Sequence, residues 1–191
     1  MEFLEITDDD VTEIVRLTLK YLTDGDEVAD EIMENVRTGN YFGYKAVKDG
    51  KIVGFMTFKQ GIGFTTPQPR IEDTIRRIAD GKKVFIADGL WVSPDVRGHG
   101  VGAKLCRMIG QGIKKAGGDY LLIEEWIYPD GDSPVRALAD QWGTPVYDKH
   151  VPLFYKDISK YGMTCPICGK DCKCSAKIRL YDTEDIKDEE Q

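Results

Sequence analysis

The sequence predicts a mixed α+β domain, a sheet flanked by helices, with a small metal knuckle at its C-terminal end. Three observations predict it. Helical and strand-like hydrophobic periods alternate through the first 160 residues. Asp49-Gly50 sits between two β-rich runs, a strong hairpin signal. Gly98, Gly100 and Gly102 lie between a strand and a helix, while Cys165, Cys168, Cys172 and Cys174 crowd into a single short segment.

Taken in order, Phe3 to Ile6 reads as a strand. Thr7 caps a helix whose first turn carries Asp8, Asp9 and Asp10, which suit the positive end of its dipole. Val11, Ile14, Val15, Leu17, Leu19 and Leu22 keep the helical period to about residue 22. After a loop at Thr23-Asp24-Gly25-Asp26, a second helix runs from Glu27 to Arg37. Tyr41 to Val47 and Ile52 to Lys59 are the hairpin strands. Gly61 to Arg70 is a loop, and Ile71 to Ala79 a helix. Lys83 to Val92 is a strand in which Gly89 signals a bulge or a close backbone approach. Gly100 to Ala116 is a helix and Tyr120 to Trp126 a buried strand. Ser133 caps a helix reaching Trp142, with Pro134 at its first position. Val146 to Tyr147, Leu153 to Ile158 and Ala176 to Tyr181 read as strands.

The chain has 191 residues and 41% hydrophobic content, enough for one domain and a small appendage. Its divisions are 1–160, a four-cysteine segment 161–182 with a short strand, and an acidic tail 183–191 expected to be disordered. A formal charge of −7 disfavours a general nucleic-acid binder. The acidic N-terminus lacks a secretory pattern, and no apolar run approaches membrane-spanning length, so a cytoplasmic protein without a membrane partner is expected. A homodimer is compatible with the sequence.

Glycines at alternate positions before a helix leave backbone N–H groups uncovered, a geometry that binds phosphate. Three readings compete. Gly98-x-Gly100-x-x-Ala103 fits a dinucleotide fingerprint, with Glu124 as the ribose acid. Pro94 to Arg97 interrupt it, however, and further βαβ units are lacking. The glycines also serve a purely structural turn. The third reading is an acyl-CoA site. Arg97, Gly100 and Gly102 match the pattern Arg/Gln-x-x-Gly-x-Gly/Ala, preceded by Leu90-Trp91-Val92-Ser93-Pro94. With the order of strands and helices, residues 1–158 resemble the GNAT acetyltransferase superfamily.

That resemblance implies a central, mostly antiparallel, splayed sheet and acetyl-CoA as cosubstrate. It implies that Leu90, Trp91 and Val92 lie along the pantetheine arm. It places Arg97, Gly98, His99, Gly100, Val101, Gly102, Ala103 and Lys104 at the pyrophosphate, with the Val92 N–H polarising the thioester carbonyl. An amine would attack the thioester directly, aided by a base. The candidates are Asp88, Glu124 and, ranked lower, Glu125; strand alternation sends Glu124 and Glu125 to opposite faces. The family often places a proton-donating tyrosine in the helix here read as Ser133 to Trp142, which has none; Tyr147 and Tyr155 lie downstream. Cys106 reads as a buried small hydrophobe. Asp24, Asp26, Glu27, Asp30, Glu31 and Glu34 form an acidic wall that would favour a cationic amine.

Cys165-Pro-Ile-Cys168-Gly-Lys resembles a zinc knuckle, and with Cys172 and Cys174 it offers four thiolates to one ion. Zn²⁺ suits the set best; iron is the rival metal, and free or disulfide-linked thiols the alternative without one. Four ligands close the coordination shell, so the role is structural. The functional expectation is an acetyl-CoA-dependent N-acetyltransferase of a primary amine. Its rival is a degenerate GNAT-fold interaction protein that docks a protein or nucleic acid through the knuckle.

Overall fold

In the computed structural model, which describes residues 1–186, seven strands form one sheet in the order β1-β2-β3-β4-β5-β7-β6. β1 (Glu2–Glu5), β2 (Phe42–Lys48), β3 (Lys51–Gln60) and β4 (Val84–Val92) are antiparallel neighbours. β4 pairs with β5 (Tyr120–Ile127) in parallel. β7 (Ser175–Asp182) lies antiparallel between β5 and the edge strand β6 (Tyr147–Val151). The β2–β3 hairpin turns at Asp49 and Gly50, both at positive φ (52° and 72°), the two-residue geometry whose twist matches the flanking strands.

α1 (Val11–Tyr21) follows a Thr7–Asp10 capping box and packs with α2 (Asp26–Arg37). α3 (Pro69–Ala79) begins with its proline in the first turn, where the missing N–H costs nothing. α4 (Val101–Lys115) lies over β2, β3 and β4. It approaches closely because Gly112 has no side chain: a Cβ there would stand 2.7 Å from the Tyr44 hydroxyl oxygen. One core lies under α4, built from Met56, Phe58, Phe85, Leu105, Ile109, Leu121 and Tyr181. A second covers the opposite face, where α3, Phe154, Tyr155 and Ile158 pack on Ile86, Leu122 and Ile178. A third sits beneath α1 around Phe55 and Trp91.

Four expectations change. The helix from Ser133 to Trp142 shrinks to α5 (Arg136–Ala139) and a 3₁₀ turn at Asp140–Trp142. The Ser133 hydroxyl accepts from the Val135 N–H (3.4 Å), a local alternative to helix at its start. The tightened end brings Trp142 onto α4, where its indole N–H donates to the Cys106 carbonyl at 3.1 Å. The strands expected at Val146 to Tyr147 and Leu153 to Ile158 become one, Tyr147–Val151. Pro152 cannot continue the ladder, and Leu153 takes a φ of 52°. The strand expected at Ala176 to Tyr181 is an inner member of the main sheet, not a free strand. The tail expected to be disordered from residue 183 is packed as far as the described residues reach: Thr183–Asp185 form a 3₁₀ turn, and Thr183 and Ile186 are buried. Residues 187–191 lie outside the described residues.

Candidate active site and metal centre

The site begins where β4 and β5 part. Only Val84, Phe85 and Ile86 pair with β5, opposite Tyr120, Leu121 and Leu122. Beyond that point β5 stays with β7 along its whole length, and β4 stays with β3. A bulge marks the divergence: Phe58 pairs with Ala87 and Thr57 with Gly89, which leaves Asp88 as the extra residue. The Ser93 N–H donates to the Val53 carbonyl at 2.8 Å, so odd-numbered residues of this stretch face β3. The N–H groups of Leu90 and Val92 therefore face the open side, toward the gap. The Val92 carbonyl, on that same side, accepts from Arg97 Nε at 2.9 Å. Leu90 and Val92 pack toward α4, while Trp91 turns to the other face and stacks on Tyr21 (centroids 5.0 Å).

The glycine loop follows. Gly98 and Gly100 hold φ of 76° and 77°, a left-handed backbone that side chains disfavour. α4 starts without a side-chain cap, so the N–H groups of Val101, Gly102 and Ala103 are the unsatisfied donors of a helix start, and they carry its positive dipole end. Arg97, Gly98, His99 and Gly100 are exposed. His99 Nδ1 lies 2.9 Å from the Arg97 carbonyl oxygen, a contact within the loop. Val101 is buried, held near Gly54 of β3. Lys104 does not reach back to the loop; its ammonium stands over the Phe3 ring, 5.0 Å from the centroid.

The carboxylates separate by face. Glu124 points to the side away from α4. It accepts from the Thr65 N–H at 2.8 Å through one oxygen and from the Tyr155 hydroxyl at 2.7 Å through the other. Burial raises its pKa above the ordinary value, these two donors oppose the rise, and the Asp88 charge adds to it. No cation pairs with Glu124 among the described residues. Asp88 is joined by Lys59 at 2.7 Å, and the same ammonium reaches Glu31 at 2.6 Å. Glu125 is 0% exposed and faces the α4 side, so the structure separates it from the other two. Its neighbours are the buried Arg179 (3.2 Å), which ties β5 to β7, and the half-exposed Arg136 (3.8 Å).

Sequence reasoning left Tyr155 unplaced and passed over Lys59, Thr65 and Trp126. Tyr155 is fully buried, bonds Glu124, and stacks on Trp126 with centroids 3.9 Å apart and planes 10° apart. Burial and the adjacent carboxylate push its phenol well above the usual value. Nothing local in the sequence ties Tyr155 to Glu124; strand alternation would have placed Trp126 on the Glu124 face. The acidic wall is partly paired, since Lys59 takes Glu31 and Arg37 takes Glu34 (2.6 Å), while the Thr164 N–H donates to Asp24 (2.7 Å) and holds its carboxyl below the ordinary value. Cys106 is buried beside Met56, its thiol pushed up to about 12 by burial.

The four sulfurs of Cys165, Cys168, Cys172 and Cys174 lie within 4.8 Å of one another. Tetrahedral thiolates on Zn²⁺, bonded at about 2.3 Å, stand about 3.8 Å apart. The separations of 3.9 Å (Cys165–Cys174) and 3.6 Å (Cys168–Cys174) match that edge. The Ile167 and Cys168 N–H groups point at the Cys165 sulfur (3.4 and 3.3 Å), and the Cys174 N–H at Cys172 (3.4 Å), the donors a bound thiolate needs. The cluster can hold a metal ion.

Comparison with known proteins agrees with this geometry. Residues 9–147 match the Acetyltransferase (GNAT) family. No curated protein matches the sequence. Among solved structures, Arabidopsis thaliana NAA60 in complex with acetyl-CoA is similar at a TM-score of 0.64 and 14% identity, over 95% of this chain and 97% of that one. Salmonella typhimurium yncA, a putative acetyltransferase with its cofactor acetyl-CoA, gives 0.61 and 13%, over 96% and 94%. Streptococcus mutans smu.2055 gives 0.59 and 16%, over 96% and 99%. At these identities the likeness establishes the fold. No helix among the described residues is long and apolar enough to cross a membrane.

Proposed function

The chain belongs to the GNAT acetyltransferase family, and from that premise we propose that it moves the acetyl group of acetyl-CoA to a primary amine by direct attack in a ternary complex. One observation carries the proposal. At the gap between β4 and β5, outward-facing N–H groups of Leu90 and Val92 stand on one strand and an uncompensated carboxylate, Glu124, on the other. The loop from Arg97 to Lys104 approaches the same strand end, with unsatisfied amides at 101–103 for the pyrophosphate. Arg97 braces the loop on the Val92 carbonyl.

The roles follow from chemistry. The Val92 N–H polarises the thioester carbonyl and stabilises the oxyanion that forms on it. Glu124, with its pKa raised by burial, takes a proton from the incoming amine, directly or through water. Glu124 is preferred to Asp88 because Lys59 already occupies Asp88. Glu125 is not proposed as a base. The acceptor approaches from the side lined by the α1–α2 loop, residues 61–68 and Lys59, and the surviving acidic groups there favour a cationic amine. Cys165, Cys168, Cys172 and Cys174 hold Zn²⁺ in a closed, structural site.

Calorimetry with CoA, and an amine panel with acetyl-CoA followed by free-thiol release, test the reading. Binding of CoA and turnover of at least one amine are expected. CoA binding without turnover of any amine would point instead to a degenerate GNAT-fold interaction protein. Absence of CoA binding would sink both.

A further inference from the structure

The knuckle is built into the acceptor wall at three points. Cys174 directly precedes β7, whose first residues Ser175 and Ala176 pair with Ile127 and Trp126 at the end of β5. Cys165, Cys172 and Cys174 share one buried cluster with Phe154, Tyr155 and Ile158, with Trp126 and Met163 packed at its margin. Tyr155 and Trp126 are stacked face to face, and the Tyr155 hydroxyl holds Glu124 Oε1 at 2.7 Å. Thr164, adjacent to Cys165, donates its N–H to Asp24 Oδ1 at 2.7 Å in the α1–α2 loop. A Cβ on Gly25 of that loop would lie 3.2 Å from Met163 Cγ. Glu124 in turn fixes the loop 61–68 through the Thr65 N–H, and the Thr66 hydroxyl of that loop bonds the Phe154 carbonyl at 3.0 Å.

From this arrangement we infer that metal bound by Cys165, Cys168, Cys172 and Cys174 clamps the acceptor half of the site, fixing Glu124 through the Trp126–Tyr155 stack and the α1–α2 loop through Thr164, while the cofactor half stands without it. The inference rests on the proposed role of Glu124 and adds to it a local, metal-dependent order. Its physical basis is that ligand bonds close a short chain loop which has little core of its own, so metal binding supplies the ordering of that loop and of whatever packs on it. The cofactor half is independent because α4 and the loop before it pack on β2, β3 and β4, against the other core. Tyr155 and Trp126 are positioning residues here.

Hydrogen exchange by mass spectrometry tests the clamp on the full chain, compared zinc-loaded, chelator-stripped and reloaded with zinc chloride. Stripping should speed exchange in the segments 62–68 and 162–165 about tenfold, the loss of one hydrogen bond to a carboxylate. Residues 105–113 of α4 and the CoA affinity should not change, and zinc should restore protection. Tyr155→Phe keeps the stack and removes the hydroxyl. It should retain its zinc yet speed exchange in 62–68, and with an amine that is turned over it should lower kcat while leaving the KM for acetyl-CoA unchanged. Unaltered exchange on stripping overturns the inference. So does acceleration across α4, which would make the metal a prop of the whole fold, and so does failure of the protein to bind zinc. Failure of the zinc-loaded protein to bind CoA would strike the acetyl-transfer reading alone, because the exchange pattern is read without CoA.

Discussion

Replacing Glu124 by glutamine separates its proposed chemistry from its place in the fold. The amide is nearly isosteric, and its oxygen can keep one of the two donated hydrogen bonds, from Thr65 or from Tyr155. What is lost is the ability to take a proton. Removal of a positioned general base costs about 10²- to 10⁴-fold in rate, or about 3–5 kcal/mol of barrier. Stability should move the opposite way. Burial raises the Glu124 pKa in the fold, so the carboxylate is harder to ionise folded than unfolded. Its contribution is fully favourable below the unfolded value and is lost as pH rises through the folded value. Glu124→Gln should therefore be no less stable than the parent at neutral pH, with the difference vanishing at acid pH. The assays are thiol release from acetyl-CoA with the best amine of a panel, and calorimetric unfolding at neutral and acid pH. The parent kcat/KM should rise with pH through an apparent pKa above the ordinary carboxylate value, and the variant should lack that limb. Undiminished turnover in Glu124→Gln would refute the assignment, and a stability loss larger at neutral than at acid pH would refute the electrostatic argument.

The other predictions concern sites with separate physics. Gly100→Ala meets open space but a φ of 77°; the left-handed strain of about 1–2 kcal/mol falls on the cofactor loop, and calorimetry should show CoA affinity weakened about tenfold with the fold intact. Arg179→Met leaves Glu125 buried without its closest cation, and urea denaturation should show a loss of about 3–5 kcal/mol. Cys106, with its thiol pushed up to about 12, should resist a thiol reagent in the folded zinc-loaded protein, and Cys106→Ala should leave kcat unchanged.

Local chemistry was legible. Asp49-Gly50 makes its hairpin, Gly89 stands beside a bulge, and the positive φ of Gly98 and Gly100 is what the glycine spacing asks for. Period-two alternation correctly parted Glu124 from Glu125, although it could not say which met Thr65 and Tyr155 and which a buried arginine. What was not legible depends on distant partners. The Ser133 to Trp142 run has good helical composition, yet the Trp142 indole is drawn to the Cys106 carbonyl across 36 residues. The place of β7 inside the sheet follows from the pairing of Ala176 with Trp126 on one side and with Val151 on the other. No local pattern encodes that choice. The Tyr155–Glu124 contact spans 31 residues and needs the turn after β6 as well as the stack on Trp126.

The gap begins where β4 bulges at Asp88. Had β5 continued beside β4, the N–H groups of Leu90 and Val92 would be consumed in a ladder and unable to meet a carbonyl. β5 pairs with β7 on its other edge from Tyr120 to Ile127, while β4 remains registered to β3 and bulges at Asp88. The two strands part after Ile86, just before the bulge at Asp88. β7, the other neighbour of β5, begins one residue after Cys174. The segment that carries the cysteines thus leads directly into the strand paired with β5 at Glu124, which is why order in the knuckle and order at Glu124 should rise and fall together.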